Sequence, residues 1–294
     1  MRIRSRPPAG GGAAAAAVAA AAAVLCCPAA ARAQKFPPAA LESPGGLVNL
    51  DVPAVRPSGA LAARLEVRAF RGEEDLVYTG LSLDYGIGGG WGAVLRGAFA
   101  ERQSRALTGA GSSGAIRHGG SDVEVAARYR PGRQPADDRF AYAAQVGVSF
   151  AGTPAQDDTF LTLGAMASAR IGDRGTAYLN PRAVLIDDNT LVGIGMGGFV
   201  RLSDQFALLA DFTPLLSGDN TRKTTTGEPS RRDVFGFGLR FGPSATAADA
   251  ADARRDRWDV EVGYTNAVGR TTGFGLTPGL GDSGAFYAAF TYAR

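Results

Sequence analysis

From Ala60 to the C-terminus, apolar and polar positions alternate with a period of two, segment after segment. Successive side chains on a strand point to opposite faces, so this alternation predicts strands with one apolar and one polar face. In the first segment Leu61, Ala63, Leu65, Val67 and Ala69 share one face, and Arg64, Glu66 and Arg68 the other. The second sets Val77, Thr79, Leu81, Leu83 and Tyr85 against Tyr78, Ser82 and Asp84. The third sets Trp91, Ala93, Leu95 and Phe99 against Arg96 and Arg102. The fourth sets Val123, Val125, Ala127 and Tyr129 against Asp122, Glu124, Arg128 and Arg130. Eight further segments open near Phe140, Leu161, Ala177, Val192, Phe206, Phe235, Trp258 and Phe286, and their polar faces carry Arg170, Arg182, Arg201, Asp211, Arg240, Asp259 and Glu261. Each is roughly 10 residues long, the length a tilted strand needs to cross a bilayer. The pattern predicts an all-β protein: a single antiparallel up-and-down transmembrane β-barrel of about twelve strands.

The apolar face is expected to point outward. An antiparallel barrel of this many strands is too wide for its side chains to fill, so an apolar interior would be an empty or wet apolar cavity. A two-sheet sandwich avoids that problem, but its strands are typically only about five or six residues long. Aromatic residues add to the case: Tyr85, Trp91, Phe140, Phe150, Phe206, Phe241, Trp258 and Tyr292 stand near segment ends on the apolar face, where membrane interfaces place girdles. The sixteen polar-face charges Arg64, Glu66, Arg68, Asp84, Arg96, Asp122, Glu124, Arg128, Arg130, Arg170, Arg182, Arg201, Asp211, Arg240, Asp259 and Glu261 are then expected to face the lumen. Pro181 falls at a strand centre, where it forfeits a ladder bond and suggests a bulge.

Residues 1–33 read as a secretory signal peptide: a basic start (Arg2, Arg4, Arg6), an alanine-rich apolar run, and the cleavable pattern Ala31-Arg32-Ala33. Leu25 before Cys26 argues against a lipoprotein signal. Residues 34–58, rich in Pro and Gly, read as a periplasmic N-terminal extension, with the barrel in 59–294. Processing changes the charge argument. The chain has 31 basic and 28 acidic residues, and loss of Arg2, Arg4, Arg6 and Arg32 leaves 27 against 28, so no nucleic-acid partner is implied. Both cysteines leave with the peptide. From a periplasmic N-terminus, the short connections Gly88–Gly90, Gly172–Gly175 and Ser203–Gln205 fall on the inner side. The long stretches Gln103–Ser121, Ser217–Arg231 and Ala267–Ser283 become surface loops.

Several stretches carry a resemblance: NLDVPAVRPSGALAARLEVRAF (Asn49–Phe70), LSLDYGIGGGWGAVLRGAF (Leu81–Phe99), YLNPRAVLIDDNTLVGIGMGGFVRLSDQFALLADF (Tyr178–Phe212), VEVGYTNAVGRTTGF (Val260–Phe274) and the closing AFTYAR. In these the chain resembles a family of bacterial outer-membrane β-barrel proteins catalogued as a domain of unknown function. The resemblance spans most of the mature chain and implies a barrel in the outer membrane, with no catalytic residues. Members often end on an aromatic; here Arg294 is last and Tyr292 the nearest aromatic.

Little chemistry stands out. His118 is the single histidine and lies in an expected loop without a strand-borne serine partner, so no enzymatic activity is expected. One histidine and no mature cysteine leave no metal cluster, and no cofactor is expected. The acidic tips Asp157-Asp158, Asp187-Asp188 and Gly218-Asp219-Asn220 lack the EF-hand ligand spacing and fit turn chemistry. The row Gly193, Gly195, Gly197 is no nucleotide loop, because it lies on the polar face of a strand; glycines there let a side chain or loop approach. Two functions stay open, with membrane lipid the partner in both: a porin-like channel for small polar or anionic solutes, or a barrel closed by ion pairs that acts as a surface-exposed structural or partner-binding protein.

Overall fold

The computed structural model describes residues 46–70, 76–100, 121–131, 140–153, 156–172, 174–186, 189–203, 205–222, 226, 228–242, 257–279 and 284–294. The signal peptide, the processing site at Gln34, His118, the stretch 103–120, Asp187-Asp188 and residues 243–256 lie outside them. Twelve strands build a closed barrel: β1 (Leu61–Phe70), β2 (Leu76–Gly88), β3 (Trp91–Ala100), β4 (Ser121–Tyr129), β5 (Phe140–Thr153), β6 (Gln156–Ile171), β7 (Gly175–Leu185), β8 (Leu191–Arg201), β9 (Phe206–Thr213), β10 (Val234–Phe241), β11 (Arg257–Thr265) and β12 (Ala285–Ala293). Each pairs antiparallel with its chain neighbours, and β12 pairs with β1, from Ala62 opposite Ala293 to Phe70 opposite Ala285. Closure leaves no strand edge, the condition for a sheet to sit in hydrocarbon.

Register is fixed by the alternation, because a slip of one residue would turn every charge toward lipid. The outer face is apolar: Leu65, Val67, Phe99, Val125, Tyr142, Leu163, Leu179, Phe237, Val262 and Phe290 are all exposed. Aromatic rings meet along the end that carries the short turns. Trp91 contacts Tyr129 at 4.6 Å between ring centres, and Phe241 lies between Phe206 (5.1 Å) and Trp258 (5.8 Å). An apolar belt edged by aromatics around a charged interior is the inverse of a soluble barrel. The chain is a transmembrane β-barrel.

Three local features differ from the sequence expectation. Strands β5 and β6 run past the expected ends, pairing as far as Thr153 opposite Gln156, because a ladder beyond the membrane needs no apolar face. Pro181 makes no bulge. It interrupts the β6–β7 ladder between Gly164–Arg182 and Ala167–Leu179 without shifting register, and the Asn180 side-chain amide donates instead to the Ala165 carbonyl at 2.8 Å. Strand β9 breaks at Pro214, after which Leu215–Ser217 continues along β8 with a register shift. At the tight β2–β3 turn, Gly88, Gly89 and Gly90 all take positive φ, which other residues rarely adopt.

Candidate functional site

The lumen is not empty. Two segments of the same chain fill it. One is the stretch 46–54, of which residues 46–53 are buried although residues 34–58 read as a periplasmic extension. The other is the connection between β11 and β12, of which 267–279 is buried where the sequence suggested a surface loop. The reason lies in the loop's composition. Between Ala267 and Gly279 it has one charge, Arg270, together with Val268, Phe274 and Leu276, so its desolvation is inexpensive. These side chains join Phe70, Leu76, Tyr78, Val184, Leu191 and Leu215 in an apolar cluster at the end opposite the short turns. Residues 274–276 form a single 3-10 turn within it.

The leader segment docks against β7, β8, β9 and β12. Leu47, Val48, Leu50 and Val52 pack with Tyr178, Phe199, Leu209 and Tyr287. The glycine row of β8 is the floor of this contact. A methyl group added at Gly193 would stand 2.6 Å from Leu276 Cδ2, and one at Gly197 2.9 Å from Leu47 Cδ1; one at Gly195 would overlap Leu50 Cδ2. Absence of side chains along β8 is what lets three leucines of the filling segments reach the wall.

Polar contacts fix the leader in depth. Asn49 donates its backbone N–H (2.7 Å) and its side-chain amide (2.8 Å) to the carboxylate of Asp211 on β9. Arg68 on β1 donates to Asn49 Oδ1 (3.0 Å) and to the Ala267 carbonyl (2.9 Å). Arg182 on β7 reaches the Asn49 carbonyl (2.9 Å) and the Gly275 carbonyl (3.3 Å). Each arginine thus ties the leader to the loop. Arg270 completes the link by donating to the carbonyls of Leu47 (2.9 Å) and Leu50 (3.2 Å). Asn220 anchors the loop from outside, donating to the Leu276 carbonyl at 2.7 Å.

The sixteen expected lumen charges fall into two groups. Arg64, Glu66, Arg68, Arg96, Asp122, Glu124, Arg128, Arg182, Asp211, Arg240, Asp259 and Glu261 are buried inside the barrel. Asp84, Arg130, Arg170 and Arg201 are half-buried toward the end with the short turns. On β1, Glu66 takes Arg64 at 3.2 Å and Arg68 at 2.9 Å. Glu261 on β11 takes Arg64 across β12 at 2.9 Å and Arg240 of the adjacent β10 at 2.5 Å. Glu124 accepts from Thr162 (2.8 Å) and from Thr272 of the loop, through its N–H (2.9 Å) and hydroxyl (2.6 Å). Asp122 accepts from Ser149 and Thr271. Asp84 pairs with neither of the adjacent strands' arginines Arg64 and Arg96. Its carboxylate lies 3.6 Å from Arg128, because Ser82, not Asp84, stands opposite both Arg64 and Arg96.

Two charges inside the lumen were missed by strand alternation because neither is on a strand: Asp51 and Arg270. Asp51 meets Arg96 through two hydrogen bonds, 2.6 and 3.0 Å, and Arg128 at 3.5 Å. Burial alone would push its carboxyl up. The guanidiniums of Arg96, Arg128, Arg270 and Arg182 together outweigh that and hold it down to about 2. Arg270 is lowered to about 10, chiefly by burial and then by Arg64. With these two, the buried charges among the described residues number seven arginines and seven acids. A small cavity bordered by Arg96 is lined also by Arg64, Ser82, Asp84, Arg270 and Thr291.

No protein-family model matches the chain, and no curated protein matches it. Among solved structures, the chain is similar to an outer-membrane channel from Pseudomonas putida F1 (TM-score 0.47, 15% identity, 84% of this chain and 99% of that one). It is similar also to the NanC porin (0.46, 12%, 79% and 98%) and to outer membrane phospholipase A from Escherichia coli (0.41, 12%, 82% and 92%). At these identities nothing about cargo or activity follows from the likeness.

Proposed function

We propose that the protein is a gated, porin-like channel for small polar or anionic solutes, and not an enzyme. One observation carries this reading: the barrel wall is polar and charged inside, while the closure is made by two tethered segments that the wall holds largely through hydrogen bonds and ion pairs. A wall built to stay shut needs no such segments, since large apolar side chains stabilise a core more securely than buried ion pairs do. Segments tethered at their ends can leave and return. With the leader withdrawn, the half-buried Arg130, Arg170 and Arg201 against Asp84 give the inner mouth an excess of positive charge, which favours anions.

The test is conductance of the whole protein in planar bilayers. The parent should be closed most of the time, with brief openings. Asn49→Ala combined with Asp51→Ala removes the leader's two polar side-chain anchors and should raise the open fraction strongly, with mild anion preference. A folded, heat-modifiable double variant that conducts no better than the parent would support the alternative, a closed barrel that presents its outer loops to a partner.

A further inference from the structure

Asp51 is the single acid between Gly46 and Ala54, and its surroundings are made for a carboxylate rather than for an aspartate. Arg96 grips it as a fork, Nη2 on Oδ1 at 2.6 Å and Nη1 on Oδ2 at 3.0 Å. Arg128 Nη2 stands 3.5 Å from Oδ1. Paired N–H groups of a guanidinium match the two oxygens of a carboxylate, and this is the geometry by which arginine recognises that group. The rest of residue 51 contributes one hydrogen bond, its N–H to Asn180 Oδ1 at 3.2 Å.

Both arginines are also held independently of the leader. Arg128 donates through Nε (3.2 Å) and Nη2 (3.0 Å) to Gln145 and has Asp84 at 3.6 Å. Arg96 has Glu124 at 3.5 Å, a carboxylate already engaged by Thr162 and Thr272. Without Asp51, Arg128 keeps its two hydrogen bonds to Gln145, and Arg96 keeps Glu124 at 3.5 Å and the Arg270 carbonyl at 3.4 Å. The adjoining cavity supplies a second observation. Thr291 is buried and lines it, yet its hydroxyl makes no hydrogen bond within the described residues. Ser82, Arg64 and Arg270 line it too, together with Asp84. A solute anchored on Arg96 would find hydrogen-bonding groups there.

We propose that Arg96 and Arg128 form the binding site for the carboxylate of a small solute, that Asp51 occupies this site in the closed barrel as a stand-in for it, and that the solute opens the channel by displacing Asp51. This rests on the gated-channel reading and names the solute class and the trigger. The depressed titration of Asp51 agrees with a site that prefers the charged carboxylate.

The experiment places one cysteine at Val52, which is buried beside Asp51 in the closed state, and follows its labelling by a membrane-impermeant thiol reagent in the whole protein in vesicles. The chain's own Cys26 and Cys27 precede the expected processing site. Propionate should accelerate labelling. Propionamide, of the same shape without the charge, should not, and sodium chloride at equal ionic strength should do so far less. Asp51→Asn should raise the basal rate about tenfold, as loss of a charged hydrogen-bonded pair implies, and labelling should then ignore propionate. Propionamide acting as well as propionate, or propionate still acting in Asp51→Asn, would overturn the proposal. If Val52→Cys stays unlabelled in every variant, the leader does not move and the gated reading itself fails. If Asp51→Asn labels quickly but propionate has no effect on the parent, the leader moves and only the carboxylate site is wrong. Should Asp51→Asn fail to fold, the comparison of propionate with propionamide on the parent decides alone.

Discussion

Replacing Gly195 by alanine adds one methyl to the lumen face of β8, at the spot that Leu50 Cδ2 occupies. The wall is less crowded: the Asn180 carbonyl and the Thr213 hydroxyl would each stand 3.2 Å from the new methyl and need give only a few tenths of an ångström. The leader therefore takes most of the strain. Leu50 is fully buried, and overfilling such a site costs roughly 1–3 kcal/mol. On the equilibrium between docked and released leader this is a shift of roughly 5- to 150-fold. The barrel itself responds with the opposite sign, since losing a glycine's freedom in the unfolded chain contributes about 0.4–1 kcal/mol of stability. Labelling of the Val52→Cys reporter measures the first quantity, and the unfolding midpoint on heat-modified gels the second. Gly164→Ala is the control, because an added methyl there meets only Gln145 Cβ, at 3.9 Å. In a Leu50→Ala background the Gly195→Ala effect should largely vanish, the non-additivity expected of side chains in contact. Labelling that is unchanged in Gly195→Ala, or that rises equally in Gly164→Ala, would refute the claim that the glycine row seats the leader.

Acid should open the barrel. Asp51 is held at about 2 against an ordinary 3.8, so its contribution to docking is fully present above about pH 4 and is lost as pH falls toward 2. The charges facing it are the guanidiniums of Arg96, Arg128, Arg182 and Arg270. Conductance per barrel should rise between pH 4 and 2 in the parent and be raised already at neutral pH, with no matching acid step, in Asp51→Asn. On the outer face, Leu65→Arg puts a charge on a mid-strand position that is 56% exposed to the bilayer, and should destabilise the barrel by roughly 2–4 kcal/mol in urea titrations. If it proves harmless, the two faces have been assigned the wrong way round.

The wall was legible in the sequence because a strand declares its two faces with period two, and twelve such segments left little choice of architecture. Arg64, Glu66 and Arg68 could be placed inside from alternation alone. What fills the wall was not legible. The leader's LVNLDV does alternate, but Pro53 and Pro57 follow it and read as loop, so nothing local says that Leu47 and Leu50 are buried. The stretch 267–279 has the glycines and threonines of a surface loop, and its burial depends on Phe274 meeting Tyr78 and on Arg270 meeting two carbonyls of the leader, contacts between residues far apart in the chain. The glycine row was the one local signal. Three lumen-facing glycines on one strand announce a close approach, though not by whom. Ion-pair partners were legible only to the level of adjacent strands. Asp84 faces inward, but register puts Ser82 opposite Arg96 and leaves Asp84 to Arg128 two strands away.

The tether sets the concentration scale on which a solute must compete. The leader joins β1 through residues 53–60, so a released Asp51 stays near Arg96, and a short linker of this kind holds its end at an effective concentration in the millimolar range. A free carboxylate that binds Arg96 and Arg128 as well as Asp51 does must therefore also reach millimolar levels to keep the leader out. The apolar contacts of Leu47, Val48 and Leu50 raise that threshold further, and the loop, held separately through Asn220 and Thr272, stays behind when the leader leaves. The design resists dilute anions and responds to abundant ones, so in the propionate titration the labelling rate should climb in the millimolar range and saturate at the rate of the Asp51→Asn variant. A half-maximal effect at micromolar propionate would mean that Asp51 does not compete for that site.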